Sequence, residues 1–412
     1  MSNVIQTIPP ECAVASTKQK ENSNGGARIA VIWIDWYSYH IARFRAIARH
    51  PAFEGRAAGI ELVGGAGVHR GLVFRSNQRE DLPIKTLFPD LAWFEIDQHR
   101  IARRLWAELD RLDPEVILVP GYYTIPAFAA IAWVLRHKRR SILMSESTHQ
   151  DHARKSYLER AKRTALPRLF DAAIGGGQRQ VAYLQDLGFA SNRIARLYNV
   201  VDNDYFAQGT TEWRRRGSSR SAKLSSEYFL YVGRLSPEKN VDGLLDAFMQ
   251  YRRLGGSWSL VLVGDGPLVS SLRMRVVESN FGDCVHFAGM KDTRDILPYY
   301  AYAQGLILPS WREPWGLVVN EAMSAGLPVI VSYRCGCSDD LVEDGANGFR
   351  FDPAEEGSLA KRMFTLAGFD ETTRLRMGQK SKEIISRYSP RLWAEEVVSI
   401  ADIQPIAGCI AT

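Results

Sequence analysis

The 412-residue chain has no apolar run approaching the roughly 18 residues of a membrane-spanning helix, which argues against an integral membrane protein. Cysteine is scarce. Cys12, Cys284, Cys335, Cys337 and Cys409 form an odd, scattered set. Cys335-Gly336-Cys337 has no second Cys or His pair beside it, so zinc-type spacing is missing and a disulfide scaffold is excluded. The pattern reads as mostly inert thiols in a reducing compartment. Residues 1–26 lack the apolar stretch of a secretory signal and are expected to be a disordered leader on a cytoplasmic protein. There is no Walker loop, no H-E-x-x-H, no G-x-S-x-G and no dinucleotide fingerprint after the first strand. No zinc finger or RNP-type segment points to nucleic acid.

What is present is a globular composition, with ten Trp, 16 Tyr and 17 Phe, on a chain long enough for two or three domains. Charge is unevenly spread. Residues 1–200 hold 28 Lys and Arg against 19 Asp and Glu, whereas the remainder holds 24 against 27. A basic first half beside a mildly acidic second half suits an anionic partner, such as a membrane surface or a phosphate-bearing acceptor. The segment Ile101–Leu112, with Arg100, Arg103 and Arg104 beside Leu105, Trp106 and Leu109, has two readings. It lies on anionic lipid, or it packs its apolar side into the domain.

Short β-branched and aromatic runs alternate with helix-period stretches along nearly the whole chain. The expected strands are Ile29–Ile34, Ile60–Val63, Val116–Val119, Ile142–Met144, Ala172–Ile174 and Arg196–Asn199, then Tyr228–Val232, Ser259–Val263, Val285–Phe287, Gly305–Leu308, Val329–Ser332 and Gly348–Phe351. Between them, Val241, Leu244, Leu245 and Phe248 keep the spacing of a helix face. Such alternation implies parallel sheets covered by helices on both faces, an α/β class with two Rossmann-like domains. A polar, Arg-rich stretch marks the division. The expected parts are a first domain at 27–206, a linker at 207–226, a second domain at 227–386 and a C-terminal helix and tail at 387–412 that return to the first domain. In open parallel sheets ligands bind beyond the carboxyl ends of the strands, so two facing domains place the site in the cleft between them.

The densest chemistry-bearing stretch runs from Trp311 to Val329 after the strand Gly305–Leu308. The unpaired N–H groups of Gly316, Leu317 and Val318 at a helix start suit an anion. Glu313 precedes that helix and Glu321 lies about two turns in, roughly 12 Å further along its axis. Carboxylates so spaced suit hydroxyls on both sides of a phosphate group, although a capping acid and a solvated helix residue are the plainer alternative. A second signal, Tyr231-Val232-Gly233-Arg234-Leu235-Ser236-Pro237-Glu238-Lys239-Asn240, joins a strand to a helix. It sets Arg234 and Lys239 at the cleft as two cations fit for a diphosphate leaving group, or as surface charges flanking a turn. Val263-Gly264-Asp265-Gly266-Pro267 is a tight strand-to-loop turn.

In this order, with Phe287-Ala288-Gly289, Asp344-Gly345-Ala346-Asn347-Gly348-Phe349 and Asn199-Val200-Val201-Asp202, these motifs resemble the second domain of family 4 glycosyltransferases of the GT-B fold. The resemblance covers residues 196–400, and Glu313 to Glu321 matches the family's E-x7-E pattern. It implies that Arg234 and Lys239 bind a donor diphosphate near Gly233 and Gly264, that Glu313 contacts donor-sugar hydroxyls and that Glu321 holds the ribose. It further implies that the amides of Gly316, Leu317 and Val318 take the distal phosphate and that the backbone near Met290 faces the nucleobase. Family members retain anomeric configuration and generally use no metal or other cofactor. Asp202-Asn203-Asp204 spells a D-x-D but falls inside the N-x-V-D motif and reads as coincidence.

The first domain departs from the family pattern. The loop after its first strand reads Asp35-Trp36-Tyr37-Ser38-Tyr39-His40 instead of being glycine-rich, and Ser145-Glu146-Ser147-Thr148-His149 stands where a histidine is common. His40, Glu146 and His149 are the acceptor-side candidates; Glu146 and His149 also read as a buried hydrogen-bonding group or a loop residue, and His40, near Arg43, either binds acceptor phosphate or begins a helix. The expected function is a retaining, metal-independent hexosyltransferase. It would use a nucleotide sugar and a glycan or lipid-linked acceptor in polysaccharide or glycoconjugate biosynthesis, with peripheral contact to an anionic inner membrane face. The rivals are a nucleotide-sugar epimerase of the same fold and a non-catalytic sugar-nucleotide binding protein.

Overall fold

The computed structural model describes residues 26–53, 55–65, 79, 81–149, 156–217 and 227–401. All but the last residue of the expected leader, and residues 218–226 of the expected linker, lie outside these. No helix among the described residues is long and apolar enough to cross a membrane.

The first sheet contains β1 (Ile29–Trp33), β2 (Ala57–Val63), β3 (Ile84–Phe88), β4 (Val116–Pro120), β5 (Arg140–Ser145), β6 (Ala172–Gly175) and β7 (Ile194–Ala195), ordered β3-β2-β1-β4-β5-β6-β7. The second contains β8 (Tyr228–Val232), β9 (Ser259–Val263), β10 (Val285–Gly289), β11 (Gly305–Leu308), β12 (Val329–Ser332) and β13 (Gly348–Phe351), ordered β10-β9-β8-β11-β12-β13. Every pairing is parallel. The apolar runs are continuous because helices cover both faces. Along β8, Tyr228, Leu230 and Val232 enter one core while Phe229 and Tyr231 enter the other.

Three elements differ from expectation. The edge strand β3 escapes a periodicity reading because only Leu87 of its five side chains is buried. The expected strand Arg196–Asn199 is irregular: Leu197 turns at φ 67°, and the chain leaves the sheet after Ala195. Residues 207–216 belong to a helix, Asn203–Arg216, and not to a linker. Asp202 caps it by accepting from Tyr205 N at 3.0 Å, so this carboxylate is occupied as a helix cap. Phe206 packs in the second domain's core, and Arg214 donates to the carbonyls of Ala301 and Ala325 at 2.8 Å each. The arginine run looked polar and flexible in sequence; its helix is pinned to the second domain by these few contacts.

The C-terminal helix Pro390–Ala401 buries Trp393, Ala394, Val397 and Ala401 among first-domain residues that include Ile29, Phe44 and Val200. Truncating Trp393 to Ala would cost roughly 3–5 kcal/mol. The helix Gln98–Leu112 turns Ile101, Leu105 and Leu109 into the first core, which removes its apolar side from any lipid surface.

Candidate active site

In the second sheet, chain order reverses between β8 and β11, the position at which open α/β sheets form a ligand crevice. The loops that leave these two strands are tied together. Glu238 O accepts from the amides of Trp311 (2.9 Å) and Arg312 (3.3 Å), and Asn240 Nδ2 donates to Pro309 O at 3.1 Å. This lacing brings Lys239 Nζ, after β8, onto Glu313 Oε2, after β11, as a part-buried ion pair. The two candidate donor residues therefore occupy one point and neutralise each other. A ligand offering phosphate to the ammonium and hydroxyls to the carboxylate would separate them.

Glycines allow the backbone of this crevice to close. A Cβ on Gly264 would lie 1.9 Å from Gly233 O, so the turns after β8 and β9 approach at a distance no other residue tolerates. Gly264 N in turn donates to Gly289 O at 3.0 Å, which sets the half-exposed Met290 beside that turn. Gly316 caps the helix Leu317–Ser324 at φ 107°, and a Cβ there would meet Leu308 Cδ2 at 2.5 Å. The first amides of this helix lack intrahelical acceptors and lie just past Glu313.

Glu321 is not a solvated helix residue. Its Oε2 accepts from Tyr300 OH at 2.6 Å, and burial pushes its carboxyl up to about 7, with the hydroxyl pulling the other way. Tyr300 was not foreseen; it sits in the apolar helix Leu297–Tyr302, where nothing in the sequence marks it as polar in role. Arg234 pairs with Glu238 at the rim, and that carboxylate also accepts from Ser236 Oγ at 2.8 Å.

The acceptor-side candidates separate. Glu146 lines a cavity of about 250 Å³ formed by Pro120–Tyr123, Met144–Ser147 and Tyr198 of the first domain and closed by Pro314 of the second. It thus faces the residue next to Glu313 across the cleft. Pocket-lining Tyr122, Tyr123 and Tyr198 were not singled out from sequence. His40 is buried and stacked on Trp33 with centroids 4.5 Å apart. Its Nδ1 accepts from Tyr37 N at 3.2 Å to cap the helix Ser38–Ala48, and burial holds the imidazole well below its ordinary range, hence neutral. Behind it Arg43, fully buried, lies under the rings of Tyr198 (4.5 Å), Tyr39 (4.9 Å) and Trp33 (5.5 Å). His149 is exposed and pairs at 2.6 Å with Asp186, the last residue of the helix Gln178–Asp186. That helix starts at the domain interface, so His149 is drawn roughly 12 Å away from it.

Three comparisons bear on identity. The sequence model of "Glycosyl transferases group 1" matches residues 216–384. The chain is 28% identical over 208 residues to the Arabidopsis thaliana "Sulfoquinovosyl transferase SQD2", covering 49% of this chain and 38% of that protein. It is 27% identical over 218 residues to the Streptomyces kanamyceticus "Alpha-D-kanosaminyltransferase", covering 51% and 54%. The chain thus spans about half the length, or less, of these relatives. In fold it resembles Anabaena Alr3699/HepE, solved with UDP and glucose, with a TM-score of 0.69 and 18% identity over 92% of this chain and 100% of that one. Residues 216–384 are thus similar to the glycosyl transferases group 1, and the two parallel-sheet domains have the GT-B fold.

Proposed function

We propose that the protein is a retaining hexosyltransferase of the family 4 type. It moves a sugar from a nucleoside diphosphate to a hydroxyl of a glycan or lipid-linked acceptor in polysaccharide or glycoconjugate assembly. The observation that carries this reading is the Lys239–Glu313 pair set before the start of the helix Leu317–Ser324 at the point where strand order reverses. The relatives named for sugar transfer, and the HepE structure with UDP, support the donor class.

The chemistry is mainly electrostatic. Lys239, Arg234 and the amides of Gly316, Leu317 and Val318 take the negative charge that develops on the diphosphate as its bond to the anomeric carbon breaks, without a metal or other cofactor. Glu313 orients the sugar hydroxyls and Glu321 holds the ribose. The acceptor oxygen attacks from the leaving-group side, and its proton passes to the departing diphosphate oxygen. Glu146, with Tyr122, Tyr123 and Tyr198, forms the acceptor subsite. A peripheral membrane contact is supported by the exposed Ile125, Phe128 and Leu135 on the helix Ile125–His137, packed beside the helix that exposes Arg100, Arg103 and Arg104.

NMR of the products, with chelator present, tests the reading. A sugar joined to the acceptor with its anomeric configuration kept is the expected result. An inverted product contradicts retention, an epimerised free nucleotide sugar selects an epimerase, and binding without turnover selects a sensor.

A further inference from the structure

We infer that Gln180, a first-domain residue, is a positioning residue that holds the second-domain loop bearing Glu313 in place; the inference rests on the transfer reading above. Gln180 is fully buried at the start of the helix Gln178–Asp186. Its Oε1 accepts from Gly177 N at 3.1 Å, which fixes the amide orientation, and its Nε2 donates to Pro314 O at 2.7 Å. The three consecutive carbonyls around Glu313 are each held. Gly336 N donates to Glu313 O at 2.9 Å, and Cys337 N donates to Trp315 O at 3.2 Å. Those two donors belong to the same domain as the loop and move with it. The Gln180 bond crosses from the other domain.

The surroundings are built for that crossing. A Cβ on Gly336 would sit 1.8 Å from Pro314 O and 2.8 Å from Gln180 Nε2, so only glycine leaves room for the bond. The neighbouring residues dock the helix start on the same region. Gln178 N donates to both Asp340 oxygens (3.2 and 3.1 Å), and Arg179 donates to Asp339 Oδ2 (2.7 Å), Ser338 Oγ (3.1 Å) and Cys335 O (3.2 Å). Pro314 is also the second-domain wall of the Glu146 cavity. Gln180 thus sets the partition between the donor carboxylate and the acceptor cavity, and it does so only while the domains are together. A small displacement of a positioning group costs on the order of 10²-fold in rate. Lys239 and the helix amides, by contrast, lie wholly in the second domain and keep their hold on the diphosphate.

The test compares full-length wild type with Gln180→Met and Gln180→Glu. Gln180→Met should lower kcat about 10- to 100-fold with donor KM and nucleoside diphosphate Kd within about twofold. Gln180→Glu keeps the acceptor for Gly177 N but cannot donate to Pro314 O while ionised. Its kcat relative to wild type should therefore recover from pH 8 to pH 5.5, whereas the Gln180→Met ratio stays flat. Amide exchange of Trp311–Leu317 should quicken in Gln180→Met. Wild-type kcat in Gln180→Met, or a Gln180→Glu ratio that stays flat and as low as that of Gln180→Met, overturns the inference. If the wild type transfers no sugar from any donor, the glycosyltransferase reading falls, and exchange alone judges Gln180: unchanged exchange in Trp311–Leu317 overturns it.

Discussion

The two edges of the cleft are made by different means. On the second-domain side, backbone meets backbone: the turn at Gly264 lies against the Gly233 carbonyl, and Gly316 starts a helix at positive φ. On the first-domain side, large side chains fill the corresponding space, with Trp33, His40, Arg43 and Tyr198 stacked into a buried block. A backbone cradle fits a group common to many substrates, such as a diphosphate, because N–H groups are always present and only glycines make the approach possible. A side-chain wall takes its shape and polarity from the particular residues that build it. On the proposed reading, the second-domain edge binds the diphosphate and the first-domain edge selects the acceptor.

Lys239→Ala is the strongest way to break that contrast: turnover should fall roughly 10²–10³-fold, as for other lost donors to a developing anion, in a steady-state transfer assay. If turnover survives, the cradle does not act on the leaving group. Next comes acidity. Burial pushes Glu321 up to about 7, and in the proposed role it accepts ribose hydroxyls best when ionised, so affinity for the intact nucleotide sugar, whose diphosphate does not titrate in this range, should rise about tenfold from pH 6 to pH 8. Titrating Glu321→Gln over the same range should give a flat profile. Glu313→Gln releases Lys239 from its partner, a part-buried pair of about 1 kcal/mol. Affinity for a nucleoside diphosphate without sugar should rise about fivefold even as transfer falls, a divergence that calorimetry beside kinetics would reveal. On the other edge, His40→Ala should lower stability by about 2 kcal/mol in denaturant melts through loss of the cap and of packing, and leave nucleoside diphosphate affinity where it was.

Much of the second domain was legible because its signals are local. Strand runs, turn glycines and the Glu313-to-Glu321 spacing are each short-range consequences of backbone geometry, and the structure keeps them. What sequence could not show is pairing at a distance. Lys239 and Glu313 are 74 residues apart, Tyr300 and Glu321 meet from two helices, and Gln180 reaches Pro314 across 134 positions. The first domain was less legible for the same reason. His40 reads as an acceptor-side candidate until its ring is seen stacked on Trp33, and His149 until Asp186 draws it away. The helix Asn203–Arg216 was hidden because Phe206 and Thr210 are its buried side chains, leaving a sequence that looks like linker.

The central claim is that the carboxyl edge of the second sheet binds a nucleoside diphosphate through Lys239. Calorimetry with UDP, GDP and ADP in magnesium-free buffer, on wild type and on Lys239→Ala, tests it most directly. The account predicts clear binding of one nucleotide by the wild type and a loss of at least tenfold in the variant. Equal affinity in the two proteins, or no binding of any of the three, would contradict it.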